Sequence, residues 1–346
     1  MRSLKPFFQS SAIALVVLCS ASAQTAKVTL DHIKFHGASL EDNLSADSAT
    51  RDVVVALPPS YQSSPAKHYP VVYMLHGYTD STAKWFSPTE GWTHLEGVLN
   101  RASSHVEAEM IIVVPDAYTK FAGSMYSNSV TTGDWETFIA EDLVAYIDSH
   151  YRTIPRRDSR GLSGHSMGGY GTIRIGMKRP DVFSSIYMLS PCCMSPRNGR
   201  PTEGPSPAEQ IRTMDDFNAA PFGLKAAFAS AAAWAPNPKN PPFYFDLPTK
   251  NGEVQPDVVA KFHANAPLSM VDSHIPNLKK LKAIAFDTGD RDRGIAATIR
   301  VLDQMLNDYG IEHFFEIYDG DHISGVPGRI ENQVLPFFAK NLSFEH

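Results

Sequence analysis

The sequence predicts an α/β fold, in which a mostly parallel sheet carries helices on both of its faces. Short runs rich in β-branched residues alternate along the chain with amphipathic segments, as is typical of βαβ units. Most of these runs are apolar on both faces, which indicates strands that are covered from two sides. Hydrophobic residues make up 43% and charged residues 20% of the 346 residues, a globular composition in a chain long enough to bury a large core.

Seven runs have the composition of strands, and several are bounded by Gly, Pro or Asp. The predicted strands are 51–57, 71–75, 110–114, 160–164, 185–189, 283–288 and 313–318. Five segments between or after them have helical periodicity: 92–102, 134–150, 168–178, 295–309 and 329–341. We expect antiparallel strands at the N-terminal edge of the sheet.

The first 23 residues have the features of a secretory signal peptide. A positive start with Arg2 and Lys5 precedes an apolar run at 12–19, and Ala-Ser-Ala at 21–23 fits a cleavage site. The apolar run is shorter than the about 20 residues that a membrane span requires. We therefore expect an exported protein, periplasmic or extracellular, whose mature chain begins near Gln24 and is not inserted in the membrane.

The charge balance argues against nucleic acid as a partner. Lys and Arg total 31 against 37 Asp and Glu, a formal net charge of -6. Binding to nucleic acid usually requires a surplus of basic residues.

Only two cysteines, Cys192 and Cys193, follow the predicted signal peptide. Adjacent cysteines close a strained ring and cannot connect distant elements. The chain contains no CxxC motif, so we interpret the pair as two small buried apolar side chains in preference to a redox site.

A segment at about 191–276 departs from the alternation of strands and helices. It contains many prolines, an alanine-rich stretch at 226–235 and seven aromatic residues between Phe217 and Phe245. A linker would not expose so many aromatic side chains to solvent. We predict one domain spanning 24–346, with this segment as an insertion packed over one end of the sheet.

The motif GHSMGG, which begins at Gly164, predicts a catalytic nucleophile. It follows a predicted strand and precedes a predicted helix, which is the context of the GxSxG nucleophile elbow. In that turn the flanking glycines let backbone segments approach closely. Ser166 is therefore the candidate nucleophile, and a glycine-rich turn without chemistry is the less favoured alternative.

A serine nucleophile needs a histidine base and an acid that orients the base. Chains with this elbow place the acid and then the histidine after the serine. His322 lies in a loop after the last predicted strand, and we predict it as the base. The strand 283–288 ends beside Asp290 and Asp292, of which Asp292 is preferred as the acid. These aspartates lack the spacing of an EF-hand, so we predict no metal site.

Two backbone amides must hold the oxyanion that forms at the substrate carbonyl. One comes from the residue after the nucleophile, which is Met167, and the other from a loop that follows an early strand. The loop His76-Gly77-Tyr78 follows the predicted strand 71–75, and Tyr78 is the candidate donor. We expect His76 to fix this loop by hydrogen bonding.

Several further motifs accompany the elbow in a fixed order. They are HGY at 76–78 with Trp85 downstream, VVPDA at 113–117, YSNS at 126–129 followed by GDWE at 133–136, GxxD at 289–292 and GDH at 320–322. Together they resemble the esterase D family, which includes S-formylglutathione hydrolases, feruloyl esterases, enterochelin esterases and mycolyltransferases. The resemblance covers roughly residues 30–341 apart from the insertion.

This resemblance implies the α/β-hydrolase fold and a serine carboxylic ester hydrolase that needs no cofactor. It supports Ser166, Asp292 and His322 as the triad and Tyr78 with Met167 as the oxyanion hole. An aromatic-rich insertion suits a feruloyl or other carbohydrate ester. Trp85 and, in the insertion, Trp234 are the candidate substrate-binding residues.

Two other functions remain open. An acyltransferase would use the same triad and differ in excluding water and binding an acceptor. A non-catalytic binding protein on the same fold is less favoured, because all three candidate triad residues are present.

Overall fold

The computed structural model describes residues 27–196 and 198–345. The predicted signal peptide and its cleavage site lie outside the described residues, so both stay predictions. In the described part of the chain, no helix has the length and apolar character needed to cross a bilayer.

The strands of the described residues form one large sheet and two small hairpins. They are β1 (Thr29–His36), β2 (Thr50–Leu57), β3 (Val71–Leu75), β4 (Ile111–Pro115), β5 (Asn128–Ser129), β6 (Gly133–Asp134), β7 (Arg160–His165), β8 (Ser185–Leu189), β9 (Thr249–Lys250), β10 (Glu253–Val254), β11 (Ala283–Gly289) and β12 (Phe314–Tyr318). The large sheet has the order β1-β2-β4-β3-β7-β8-β11-β12. β1, β2 and β4 pair antiparallel, and all other neighbours pair parallel.

The helices pack mainly on the two faces of this sheet. They are α1 (Thr82–Phe86), α2 (Leu95–Ala102), α3 (Trp135–Thr137), α4 (Leu143–His150), α5 (Met167–Lys178), α6 (Met214–Ala219), α7 (Phe222–Trp234), α8 (Pro256–Ala264), α9 (Pro267–Leu278), α10 (Arg293–Asp308), α11 (Val326–Arg329) and α12 (Leu335–Asn341). Wide helical turns at Phe138–Asp142 and Ile330–Val334 join α3 to α4 and α11 to α12.

Strand β3 shows why both faces must be covered. All five of its residues are buried. Val71, Tyr73 and Leu75 belong to the core on one side of the sheet, whereas Val72 and Met74 belong to the core on the other side. Alternate residues of a strand point to opposite faces, so each face needs its own helical layer. The predicted α/β architecture and its antiparallel N-terminal edge are confirmed.

The segment between β8 and β11 holds α6 to α9 and the hairpin β9–β10. Its aromatic residues form a cluster with one another: the ring of Phe228 lies 5.7 Å from that of Phe217, 5.1 Å from that of Phe243 and 5.0 Å from that of Phe245. Phe121, from the body of the domain, packs against Phe217 at 5.7 Å. The aromatic residues are thus the core of the insertion. Its last helix, α9, packs beside α5 as a regular helix of the frame.

Candidate active site

The chain makes a sharp turn at Ser166, between the end of β7 and the start of α5. Ser166 has φ 56° and ψ -112°, a conformation that a residue other than glycine rarely adopts. A Cβ on Gly168 would overlap the carbonyl oxygen of Leu75 at the end of β3, and one on Gly164 would overlap Gly168. The glycines of GHSMGG therefore let the helix approach the strands and leave the serine at the edge of the sheet.

Three predicted residues form a chain of hydrogen bonds. Nε2 of His322 lies 2.9 Å from Oγ of Ser166, and its Nδ1 lies 2.5 Å from Oδ2 of Asp292. His322 is in the loop after β12, whereas Asp292 lies in the short loop after β11 and immediately precedes α10. A carboxylate on Nδ1 fixes the tautomer in which Nε2 accepts the serine proton. The arrangement can raise the nucleophilicity of the Ser166 hydroxyl.

Asp290, the alternative acid, has different partners. Its Oδ1 accepts a hydrogen bond from the amide of Gly320 at 3.1 Å and lies 3.6 Å from the guanidinium of Arg291. The carboxylate therefore holds the β12 loop in place. The structure brings Asp292, rather than Asp290, to the imidazole of His322.

His165, to which the sequence analysis assigned no role, holds the loop of His322 in place. This buried side chain contacts the carbonyl oxygen of His322 through Nε2 at 2.8 Å, and the two rings lie 4.8 Å apart. Burial, with a smaller contribution from the neighbouring His322, lowers the pKa of His165 to about 3. The neutral ring donates Nε2–H to that carbonyl. Its position inside GHSMGG was the only signal in the sequence.

The predicted oxyanion loop lies against the nucleophile. A Cβ on Gly77 would be 3.5 Å from Cβ of Ser166. The buried His76 accepts a hydrogen bond from the amide of Ala117 on Nε2 at 2.8 Å, so its proton is on Nδ1, which contacts the carbonyl of Gly77 at 2.9 Å. Burial lowers the pKa of His76, which keeps this ring neutral. His76 thus ties the loop to the segment after β4, as expected.

The two candidate oxyanion donors remain available. Within residues 27–196 and 198–345, neither the amide of Tyr78 nor that of Met167 donates a hydrogen bond to the protein. Met167 directly follows Ser166 in the chain, and Tyr78 directly follows the loop glycine that contacts it. The geometry is suited to two amides holding one oxygen beside the serine.

A cavity of about 470 Å³ opens at Ser166 and His322. Its wall is mostly apolar and rich in sulfur, and the lining includes Tyr78, Met125, Cys192, Cys193, Met194, Phe222, Ala226, Ser230 and Ile295. Phe222, Ala226 and Ser230 are four residues apart on α7 and lie along one side of that helix. The insertion therefore supplies one wall of this pocket.

Neither tryptophan predicted to bind substrate lines the pocket. Trp85 is completely buried, and its Nε1 donates to Asp80 Oδ2 at 3.1 Å. Trp234 is 5% exposed, and its ring packs 5.5 Å from Tyr170 and 5.4 Å from Phe262. Residues four apart on a helix drift by about 40° around its axis, so over the length of α7 Trp234 turns from the pocket into the core of the insertion. As substrate-binding predictions both were wrong in this structure.

The interpretation of the two cysteines as buried side chains was also wrong. Cys192 and Cys193 are each half-buried and line the cavity beside Ser166. The local sequence could not reveal this, because their exposure depends on where α7 and α10 leave space above the end of β8.

Comparison with known proteins places the chain in a family. A family model described as "Putative esterase" matches residues 48–325, which is most of the chain. A Mycobacterium tuberculosis protein named as an esterase is 31% identical over 135 residues, 38% of this chain and 27% of that protein. An endo-1,4-β-xylanase/feruloyl esterase of Xylanibacter ruminicola is 26% identical over 125 residues, 36% of this chain and 17% of that protein. The chain thus matches less than a third of the length of either relative.

The fold has solved counterparts. A structure titled as a ferulic acid esterase superimposes with a TM-score of 0.64 at 21% sequence identity, covering 91% of this chain and 99% of that one. At this identity the likeness concerns the fold, which is the predicted α/β-hydrolase fold. Because the family model spans strands β2 to β12, the elbow and the candidate triad together, the chain belongs to this esterase family.

Proposed function

We propose that this chain is an exported serine carboxylic ester hydrolase that acts through an acyl-enzyme on esters with an aromatic or other hydrophobic acyl group. The observation that carries the proposal is the hydrogen-bonded chain from Ser166 through His322 to Asp292 at the mouth of an apolar cavity. Membership in an esterase family supports the reaction type.

The proposed mechanism follows from the contacts of these side chains. His322 takes the proton of Ser166 as the hydroxyl attacks the ester carbonyl, and Asp292 stabilises the imidazolium. The amides of Tyr78 and Met167 donate hydrogen bonds to the tetrahedral oxyanion. His322 then protonates the leaving alcohol, and water, activated by the same imidazole, releases the acid from Ser166.

The cavity supports the choice of acyl group. Its volume of about 470 Å³ accommodates a small aromatic acid, and side chains of Met125, Met194 and Ile295 provide an apolar lining. Phe222 is 65% exposed at the rim, with its ring edge-to-face against that of Tyr78 at 5.5 Å. The feruloyl esterase named among the partial relatives agrees with this choice. We therefore propose a feruloyl-type carbohydrate ester as the natural substrate class.

The test is hydrolysis of p-nitrophenyl acetate and methyl ferulate by the protein beginning at Gln24. Release of p-nitrophenol that disappears in Ser166→Ala supports a serine esterase. Turnover that persists in that variant, or its absence in the unmodified protein, contradicts the proposal. Product analysis with an added sugar distinguishes transfer of the acyl group to the sugar from transfer to water.

We expect Phe222→Ala to reduce kcat/KM for methyl ferulate about tenfold and to leave that for p-nitrophenyl acetate unchanged, because a pocket wall contacts only the larger acyl group. Both rates are measured on the same preparation. Phe344→Ala is the matched control, since this phenylalanine is 38% exposed and does not line the cavity. Equal loss on both esters would show that Phe222 does not select the acyl group.

Trp234→Ala should lower the stability of the protein and leave its choice between the two esters unchanged. The indole is buried and donates from Nε1 to Oγ of Ser127 at 3.3 Å, so its removal leaves a cavity in the insertion. We expect the free energy of unfolding to fall by about 3–5 kcal/mol, with the ratio of ferulate to acetate turnover unchanged. Urea denaturation together with the two assays measures both quantities. A changed ratio of ferulate to acetate turnover at unchanged stability would show that Trp234 contributes to substrate binding.

A further inference from the structure

Two adjacent cysteines lie in the wall of the pocket that contains Ser166. Cys192 and Cys193 are half-buried, both line the cavity, and their Sγ atoms are 2.8 Å apart. The amide of Cys192 donates a hydrogen bond to the carbonyl oxygen of Ser166 at 3.1 Å. A small molecule that enters the pocket therefore meets both cysteine residues, and the backbone of Cys192 is hydrogen-bonded to that of the candidate nucleophile.

The adjacency of the two residues determines the chemistry of the pair. Consecutive α-carbons are about 3.8 Å apart, closer than the roughly 4.4–6.8 Å usual for a disulfide. A disulfide between them is a strained ring, and strained or accessible disulfides are the ones that are readily reduced. Such a pair contributes little as a cross-link and is suited to a reversible modification.

We propose that Cys192 and Cys193 form a dithiol–disulfide site that small disulfides oxidise and small thiols reduce, and that its state changes the acyl groups which the pocket accepts. One cysteine sulfur attacks a reagent R–S–S–R, which forms a mixed disulfide and releases R–SH. The second cysteine sulfur attacks the mixed disulfide, which closes the ring and releases another R–SH. The two thiol protons leave on the two R–SH molecules, so the cysteines are oxidised and the reagent is reduced.

The effect on acyl selection follows from where the ring closes, and it rests on the proposed function. Cys193 has φ 61°, and Met194, which follows it, also lines the cavity. Closing the ring fixes the backbone between the two cysteines and moves this part of the wall. A feruloyl group that fills the cavity contacts the wall, whereas an acetyl group does not.

Peptide masses test the site independently of activity. The protein is reduced, incubated with oxidised glutathione, alkylated with iodoacetamide and digested with trypsin, which leaves both cysteines on one peptide. Before oxidation we expect this peptide to carry two alkyl groups. After oxidation it should carry none, and its mass should be lower than that of the unalkylated peptide by two hydrogens. Dithiothreitol should restore both alkylation sites. Two alkylated cysteines after oxidation, or glutathione retained as a stable mixed disulfide, would overturn the proposal. Cys192→Ser is the control, because its single thiol can retain glutathione but cannot close the ring.

The esterase activity of the same samples tests whether the state of the two cysteines changes acyl selection. We expect oxidation to lower kcat/KM for methyl ferulate about tenfold relative to that for p-nitrophenyl acetate, and dithiothreitol to restore the ratio of the reduced protein. An unchanged ratio in the oxidised protein rejects the effect on acyl selection. If the reduced protein hydrolyses neither ester, the proposed function fails and the selectivity claim with it, while the peptide masses still decide the dithiol site.

Discussion

Ser166→Ala is expected to lower ester turnover about 10⁶-fold, since the other parts of a serine triad contribute little once the nucleophile is gone. The hydroxyl contacts Nε2 of His322 at 2.9 Å, and alanine removes this one oxygen without adding volume. The variant should therefore keep the fold and its melting temperature. The measurement is the steady-state rate on p-nitrophenyl acetate together with circular dichroism.

Ser149→Ala is the matched control for this experiment. Its hydroxyl lies on the surface of α4, where it donates to the carbonyl of Tyr146 at 2.9 Å. This variant should retain the full rate. A Ser166→Ala protein that keeps more than a tenth of the unmodified rate would show that another group attacks the ester.

Asp292→Asn should lower kcat by about 10⁴-fold, an effect of the size seen when a triad acid becomes an amide. The carboxylate accepts from Nδ1 of His322 at 2.5 Å, whereas an asparagine amide can donate to that nitrogen and so stabilise the wrong tautomer. The Ser166 proton then has no acceptor. Comparison of kcat for the variant with that for the unmodified protein measures the loss.

Asp290→Asn is the control that shows whether the loss of kcat in Asp292→Asn comes from the lost contact with His322 or from a general disturbance of the loop. Asp290 accepts from the amide of Gly320 and does not contact the imidazole, and the asparagine oxygen can still accept that bond. We expect kcat to change by no more than a few-fold. If Asp290→Asn proves the more damaging substitution, the two aspartates exchange roles.

The predictability of the site depends on how local each signal is. Ser166 could be predicted because the elbow is contained in one short motif whose glycines are needed for the turn itself. His322 followed from chain order alone, because few histidines come after the serine and its loop directly follows a strand. Asp290 and Asp292 share one loop, and their residue types are identical. The start of α10 decides which of them faces the imidazole.

The predictions that failed concern packing between distant segments. Tryptophan is a residue type that is common on binding surfaces, and only the tertiary structure shows that Trp85 and Trp234 are buried. Cys192 and Cys193 are exposed to the cavity because the insertion leaves a space above them. The same limit applied to β1, in which only Phe35 is buried and which gave no clear strand signal until its pairing with β2 was known.

The position of β12 links the activity of the protein to local opening of its sheet. In the described part of the chain β12 is an edge strand that pairs with β11 alone, and each of its residues is at least partly exposed, whereas β3, β7 and β8 are wholly buried. Edge elements with little buried surface separate from a fold at a lower free energy than its centre. The loop of His322 follows β12, so detachment of this one strand displaces the proposed base while the elbow and most of the sheet remain folded. Denaturant should therefore abolish esterase activity before it melts the bulk of the secondary structure.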